Sequence, residues 1–231
     1  MRADDTAPVP SSLQRLATCL ETIDATAVPQ GSREITGPAR WAAVCVLFSA
    51  SESPDMLFTQ RADTLRKHPL QISFPGGSED VGDAGPCATA LRETTEEIGL
   101  PADNVRVLGR LPSAEVVVSR FEVVPVVAWW DGVEPLTISP TEVKQVLRWS
   151  VSDLVNPENR VTALHPSGFT GPAWMFDDLF LWGFTARVAD RLLRLGGWEM
   201  PWDETRRVPV PDEFMRDHLE KSRATLTRDP R

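Results

Sequence analysis

The apolar positions of the chain change period several times. Leu13, Leu16, Ala17, Leu20 and Ile23 are spaced as one face of a helix, which predicts an amphipathic helix near the N-terminus. A polar stretch over residues 29–38 separates it from an unbroken apolar run, WAAVCVLF at 41–48, that reads as a buried strand. After Asp55, MLFT at 56–59 predicts the second strand of a hairpin-like pair. Further strands are expected at 105–111, 121–130, 144–151 and 179–182. Two more helices are expected, one over 86–98 and one over 184–195 with Val188, Leu192 and Leu195 on its apolar face. Strands before, between and after helices imply an α/β fold, a mixed β-sheet sandwiched by helices. Residues 1–36 then form a lead and helix, 37–199 the main domain, and 200–231 a Pro-rich, charged C-terminal extension. That extension is expected to be loosely packed, or to be an arm on a partner subunit.

Composition narrows the classes of function. The 231 residues are 42% hydrophobic and 25% charged, enough for a sizeable core. With 24 basic and 33 acidic side chains the net charge is −9, which argues against a nucleic-acid partner, although a locally basic pocket stays possible. No apolar run reaches the length of a membrane span, and the acidic, Pro-rich start does not resemble a signal peptide. Three widely spaced cysteines, Cys19, Cys45 and Cys87, form neither a disulfide framework nor a metal pair. A soluble, cytoplasmic protein is expected, with Cys45 and Cys87 packed as small buried side chains.

The segment from Phe74 to Leu100, FPGGSEDVGDAGPCATALRETTEEIGL, carries the chemistry. Gly76 and Gly77 allow close backbone approach, and an acidic loop with Glu79, Asp80 and Asp83 follows. Pro86 opens the helix and Gly99 closes it. At about 100° per residue, Cys87, Leu91, Thr94 and Ile98 form one stripe, expected to face the core. Glu93 and Glu97 lie about 40° apart on another face, with Glu96 beside them and Arg92 one turn before Glu96. A solvated acidic face is the ordinary fate of such a run, yet its energetics are poor. The macrodipole disfavours anions at this end of a helix by about 0.3–1 kcal/mol each. Two carboxylates about 5 Å apart repel by about 3 kcal/mol at an effective dielectric of 20. One arginine cannot balance three acids, whereas a divalent cation can. Oxygen-only ligands point to Mg²⁺ or Mn²⁺.

The segment resembles the Nudix box. Arg92-Glu93-Thr94-Thr95-Glu96-Glu97-Ile98-Gly99-Leu100 matches the second half of that pattern position by position. Gly77 lies fifteen residues before Arg92, one more than in the general pattern, and Asp83 stands for its Glu. Both features are typical of a branch that resembles the coenzyme A pyrophosphatases. A second signature of that branch is matched by Leu57-Phe58-Thr59-Gln60-Arg61-Ala62, then Arg66, then Phe74-Pro75-Gly76-Gly77, with Phe58 in place of a Leu and Leu70 in place of a Gly. Downstream, Leu181-Trp182-Gly183-Phe184-Thr185-Ala186-Arg187 is similar to a closing Trp-Gly-x-Thr-Ala run.

The resemblance implies a Nudix-type α/β/α sandwich and a metal-dependent pyrophosphate hydrolase. Its substrate would be coenzyme A or a derivative, cleaved to 3′,5′-ADP and 4′-phosphopantetheine. Glu93, Glu96 and Glu97 carry over as metal ligands and Arg92 as the residue that orients a carboxylate. One of the box glutamates, or Glu142 in the loop before a late strand, is the candidate base. Arg61, Arg66 and Lys67, with Gly76 and Gly77, are the candidate substrate contacts; His68 is read as a bystander. With eight tryptophans in the chain, Trp129 and Trp130 are read as core or interface in preference to an adenine platform. Alternatives stay open: hydrolysis of ADP-ribose, a nucleotide sugar, a dinucleotide or a damaged nucleoside triphosphate, a non-catalytic nucleotide-binding domain, or an interaction protein built on the Trp- and Pro-rich C-terminal third. A homodimer formed through the N-terminal helix and the tail is a further expectation.

Overall fold

The computed structural model describes residues 8–24, 40–116 and 121–215. The polar stretch 29–38 and the tail beyond Met215 lie outside the described residues.

The two longest apolar runs become the centre of the fold. Strands β1 (Arg40–Ser49) and β7 (Phe121–Trp130) pair in parallel over ten residues, Arg40 with Phe121 through to Ser49 with Trp130. Both faces of this pair are covered, which is why the runs do not alternate with polar residues. Val46, Phe48, Val127 and Trp129 face one core, and Ala43, Cys45, Leu47, Val126, Ala128 and Trp130 face the other. The two tryptophans of β7 are thus core side chains. Cys45 is fully buried, and burial pushes its thiol up to about 12.

Strand β2 (Asp55–Arg61) joins β1 antiparallel, as its spacing predicts. Short β3 (Ile72–Ser73) pairs with β2, and β4 (Gly76–Ser78) pairs with β1. Beyond β7 lie β5 (Arg106–Arg110) and β6 (Ala114–Val116), while β8 (Val143–Ser150) closes on β2. Val151, expected to end that last strand, instead opens the short helix α3 (Val151–Val155), whose N-cap is the Ser150 hydroxyl, accepting from the Asp153 N–H at 3.0 Å.

Helix α1 (Gln14–Thr22) follows a 3-10 turn and buries Leu16, Ala17 and Leu20. Its apolar face is used within the chain, against β5 and helix α4 (Gly183–Gly196), so it is not left over for a second copy. Helix α2 (Pro86–Ile98) covers the opposite face of the sheet. The result is the expected α/β/α arrangement around a mixed sheet.

A second, four-stranded sheet has the order β11-β10-β9-β12 and is made of β9 (Arg160–Leu164), β10 (Thr170–Phe176), β11 (Leu179–Leu181) and β12 (Arg207–Pro209). The sequence reading anticipates only β11. Strand β12 pairs in parallel with β9, and Val210, Phe214 and Met215 are buried with Val161, Ala163, Ala173 and Phe180. The loose packing expected of the C-terminal extension therefore does not hold for residues 207–215.

Candidate active site

The site is organised by α2 and by the strand that runs beneath it. Pro86 sits at the start of the helix, and Gly99 ends it at φ 70°, a left-handed conformation that glycine adopts without steric penalty. The Gly99 N–H donates to the Thr95 carbonyl at 3.0 Å. The face that packs on the sheet is not quite the expected stripe. Thr89, Ala90, Thr94, Glu97 and Ile98 are buried, while Cys87 and Leu91 are only partly so.

Glu97 therefore lies inside the protein, 5% exposed. Its carboxylate accepts the backbone N–H of Gly76, and its Oε2 has no partner. Burial pushes its pKa from 4.5 up to about 8. The Arg61 guanidinium opposes that rise, and Glu93 and Glu142 add to it. Glu93 shifts in the same direction, chiefly through burial, with Arg92 opposing and Glu96 and Glu142 reinforcing. Glu96 is exposed.

Arg92 binds the acids together. Its Nη1 donates to Glu93 Oε1 at 3.0 Å and to Glu96 Oε2 at 2.9 Å. Its Nη2 donates to the Ser78 carbonyl at 2.9 Å and to Asp83 Oδ2 at 3.1 Å, and Nε to Asp83 Oδ1 at 3.2 Å. Asp83 also accepts from the Thr89 hydroxyl at 2.9 Å and from the Asp80 N–H at 3.0 Å. These donors, Arg92 foremost, hold its carboxyl down at about 2. The planar guanidinium suits this fork, which a lysine cannot reproduce. The sequence does not single out Ser78 or Thr89: Ser78 meets Arg92 only through its carbonyl, from a strand before the helix, and the partner of Thr89, Asp83, lies in a loop that no helical period registers.

The two glycines have different tasks. A Cβ on Gly76 would stand 2.7 Å from Val44 Cα, against main chain of β1. A Cβ on Gly77 would stand 2.6 Å from Glu93 Cδ. The loop bearing Glu142 is tied to the end of α2 by the Ser139 N–H donating to the Glu97 carbonyl at 2.9 Å. It is tied to β2 by the Ala62 N–H donating to the Glu142 carbonyl at 2.8 Å. Glu142 itself is exposed. Arg61 ends β2 at a bulge, and Arg66 and Lys67 are exposed on the loop after it.

The sequence places three box glutamates as one ligand set, and the structure holds them in two groups. Glu93 and Glu96 share Arg92, while Glu97 is buried beside Gly76. Among the described residues no three His, Cys, Asp or Glu side chains are gathered at metal-ligand spacing. The donor set nevertheless fits a hard divalent cation: all oxygen, with a buried carboxylate whose Oε2 is unpartnered and whose charge is disfavoured without one.

Residues 38–166, more than half of the chain, match the NUDIX domain. The chain belongs to the Nudix family. Among its relatives are Nudix hydrolases named NudL and described as uncharacterized. The one from Enterobacter sp. (strain 638) is 35% identical over 180 residues, covering 73% of this chain and 88% of the relative. That of Citrobacter koseri is 36% identical over 169 residues, covering 68% and 83%. Of solved structures, the MutT protein from Methanosarcina mazei Go1 aligns with a TM-score of 0.47 at 15% identity, over 70% of this chain and 97% of that one. This Nudix hydrolase is thus an enzyme of a family that uses divalent cations. None of its helices, among the described residues, is long and apolar enough to cross a membrane.

Proposed function

We propose that this Nudix hydrolase cleaves coenzyme A or one of its derivatives with water, giving 3′,5′-ADP and 4′-phosphopantetheine. The observation that carries the metal-dependent part is Glu97, a buried carboxylate with an unpartnered oxygen, within the field of both Glu93 and Glu142. Glu93, Glu96 and Glu97 would hold the cation, Mg²⁺ or Mn²⁺. When bound, such an ion neutralises phosphoryl oxygens and eases ionisation of the attacking water.

The remaining work belongs to the chain itself. Arg92 orients Glu93 and Glu96 through the bonds described above. Glu142, on its anchored loop, takes the proton of the attacking water. Gly76 and Gly77, lacking side chains, let β1 and the Glu93 carboxyl close against the run before the box, and the diphosphate meets the two glycines through their main chain. Arg61, Arg66 and Lys67 meet the anionic groups of the substrate, a locally cationic strip on an otherwise acidic protein.

The coenzyme A assignment is supported by the paired signature around Arg61–Arg66 and the Phe-Pro-Gly-Gly run. Leu70, which stands where that signature has glycine, favours the second reading, another nucleoside diphosphate derivative such as ADP-ribose, a nucleotide sugar or a dinucleotide. The deciding experiment is mass-spectrometric analysis of products from coenzyme A incubated with the protein and Mg²⁺ or Mn²⁺, beside Glu97→Gln. Metal-dependent 3′,5′-ADP and 4′-phosphopantetheine, lost in the variant, establish substrate and site. Turnover of ADP-ribose or a dinucleotide alone overturns the substrate and keeps the site. No turnover of any diphosphate by the folded protein overturns the hydrolytic reading in favour of a nucleotide-binding domain.

A further inference from the structure

The loop that bears Arg66 and Lys67 contains two non-glycine residues in the left-handed region, His68 at φ 53° and Leu70 at φ 61°. Such conformations persist only where the surroundings over-determine them. Leu70 occupies the place of a glycine in the coenzyme A signature, and glycine would adopt this backbone freely. Leucine resists it, so something must hold it there.

Several contacts do. At the base, the Arg61 N–H donates to the Gln71 carbonyl at 3.0 Å and the Gln71 N–H to the His68 carbonyl at 3.3 Å. From β2, Gln60 Nε2 donates to the Leu70 carbonyl at 3.2 Å, and Gln60 Oε1 accepts from Gln145 Nε2 at 2.8 Å. The remaining contacts come from far along the chain. Gln71 Nε2 donates to the Phe214 carbonyl at 3.3 Å, and the Leu70 side chain packs on the cluster that contains Val210, Phe214 and Met215. That cluster is fixed in turn by the pairing of β12 with β9.

We infer that residues 207–215 act as a clamp on the loop 62–71, and that Leu70 and Phe214 are positioning residues for substrate affinity. Glycine at 70 would have no side chain to anchor. Leucine exchanges that backbone freedom for attachment to the C-terminal segment, and so the segment sets where Arg66 and Lys67 stand relative to Glu97. The ligand class concerned is the anionic part of a nucleoside diphosphate derivative beyond the scissile diphosphate. This inference rests on the reading of Arg61, Arg66 and Lys67 as substrate contacts.

The test compares the full-length protein with Leu70→Ala and Phe214→Ala by hydrogen exchange and by steady-state kinetics on coenzyme A. Both variants are expected to speed amide exchange across 62–71 while leaving 86–98 as it was. They are expected to raise KM about tenfold with kcat within about twofold, since misplacing a contact group weakens binding before chemistry. Phe214→Leu, which keeps apolar bulk in the cluster, is expected to restore both readouts, and Leu70→Ala, on the loop itself, keeps the test valid if Phe214→Ala does not fold. Unchanged exchange in 62–71 overturns the clamp, and so does faster exchange with an unchanged KM. The exchange readout does not depend on turnover, so a protein that leaves coenzyme A intact defeats the substrate reading without being confused with a failed clamp.

Discussion

The carboxyl group of Glu93 occupies the space that a side chain at Gly77 would need, its Cδ lying 2.6 Å from where that Cβ would stand. The end of a glutamate side chain can move aside, but here moving it takes a candidate ligand out of place. At Gly76 the obstacle is the main chain of β1, which cannot move cheaply. Gly77→Ala should therefore keep its melting temperature within a few degrees and lose about a hundredfold in hydrolysis rate. Gly76→Ala should lose about 1–3 kcal/mol of stability. Thermal denaturation beside a hydrolysis assay separates the two; equal melting losses would count against the distinction.

Glu97 makes the protein without its cation sensitive to pH. Its carboxyl is raised from 4.5 to about 8, so the folded state holds a proton that the unfolded state releases. The stability this proton supports is complete below the ordinary value of 4.5 and is lost as pH rises through about 8. Denaturant unfolding in chelator should show stability falling from pH 5 to pH 9, and Glu97→Gln should flatten that part of the slope. A cation binding there must displace the proton. Its Kd should fall by up to about tenfold per pH unit over this interval, with proton release visible by calorimetry in buffers of different ionisation enthalpy.

Glu142 is expected to act on rate and not on binding. Glu142→Gln keeps the loop hydrogen bonds, which run through its backbone, and removes only the proton acceptor. A fall in kcat of about 10²- to 10⁴-fold with KM nearly unchanged is the outcome for a general base. A variant with full kcat would return the role to one of the box glutamates.

How legible this was depended on where each contact lies along the chain. The runs that became β1 and β7 were readable because both faces are buried, and α2 because Pro86 and Gly99 mark its ends. The box was readable because Arg92, Glu93, Glu96 and Glu97 are neighbours within two helical turns. The Arg92–Asp83 fork was not, since Asp83 lies in a loop and meets the helix only through folding. The hairpin of β9 and β10 was hidden by Pro166, Gly168, Gly171 and Pro172, which read as loop. Strand β12 was hidden because its parallel partner lies more than forty residues earlier, Arg207 opposite Thr162. The burial of Glu97 was the largest departure: a stripe drawn through Cys87 and Leu91 is rotated in the structure so that a charged residue joins the apolar face.

The Arg92–Asp83 fork should show in acid. Asp83 is held at about 2, below its ordinary 3.8, chiefly by Arg92. Its contribution to stability is present above the ordinary value and is lost as pH falls toward 2. The stability difference between the unaltered protein and Asp83→Asn should therefore shrink from pH 5 to pH 2, read by urea unfolding. Arg92→Lys should lower the hydrolysis rate even at pH 7, because a point charge cannot hold Asp83, Glu93, Glu96 and the Ser78 carbonyl at once.

Arg160 and Asp190 form a buried pair that joins the second sheet to α4, with Arg160 1% and Asp190 6% exposed. The guanidinium lies 4.5 Å from the ring centroids of both Trp174 and Trp202, and Arg194 Nη2 reaches the other Asp190 oxygen at 2.5 Å. Removing one partner leaves a charge in apolar surroundings, whereas removing both leaves none. Asp190→Asn alone should cost about 3–5 kcal/mol, while Arg160→Met combined with Asp190→Leu should cost much less than the sum of the single changes. A double-mutant cycle by chemical denaturation measures this directly. Additive losses would mean that the two indoles, and not Asp190, are what keep Arg160 in place.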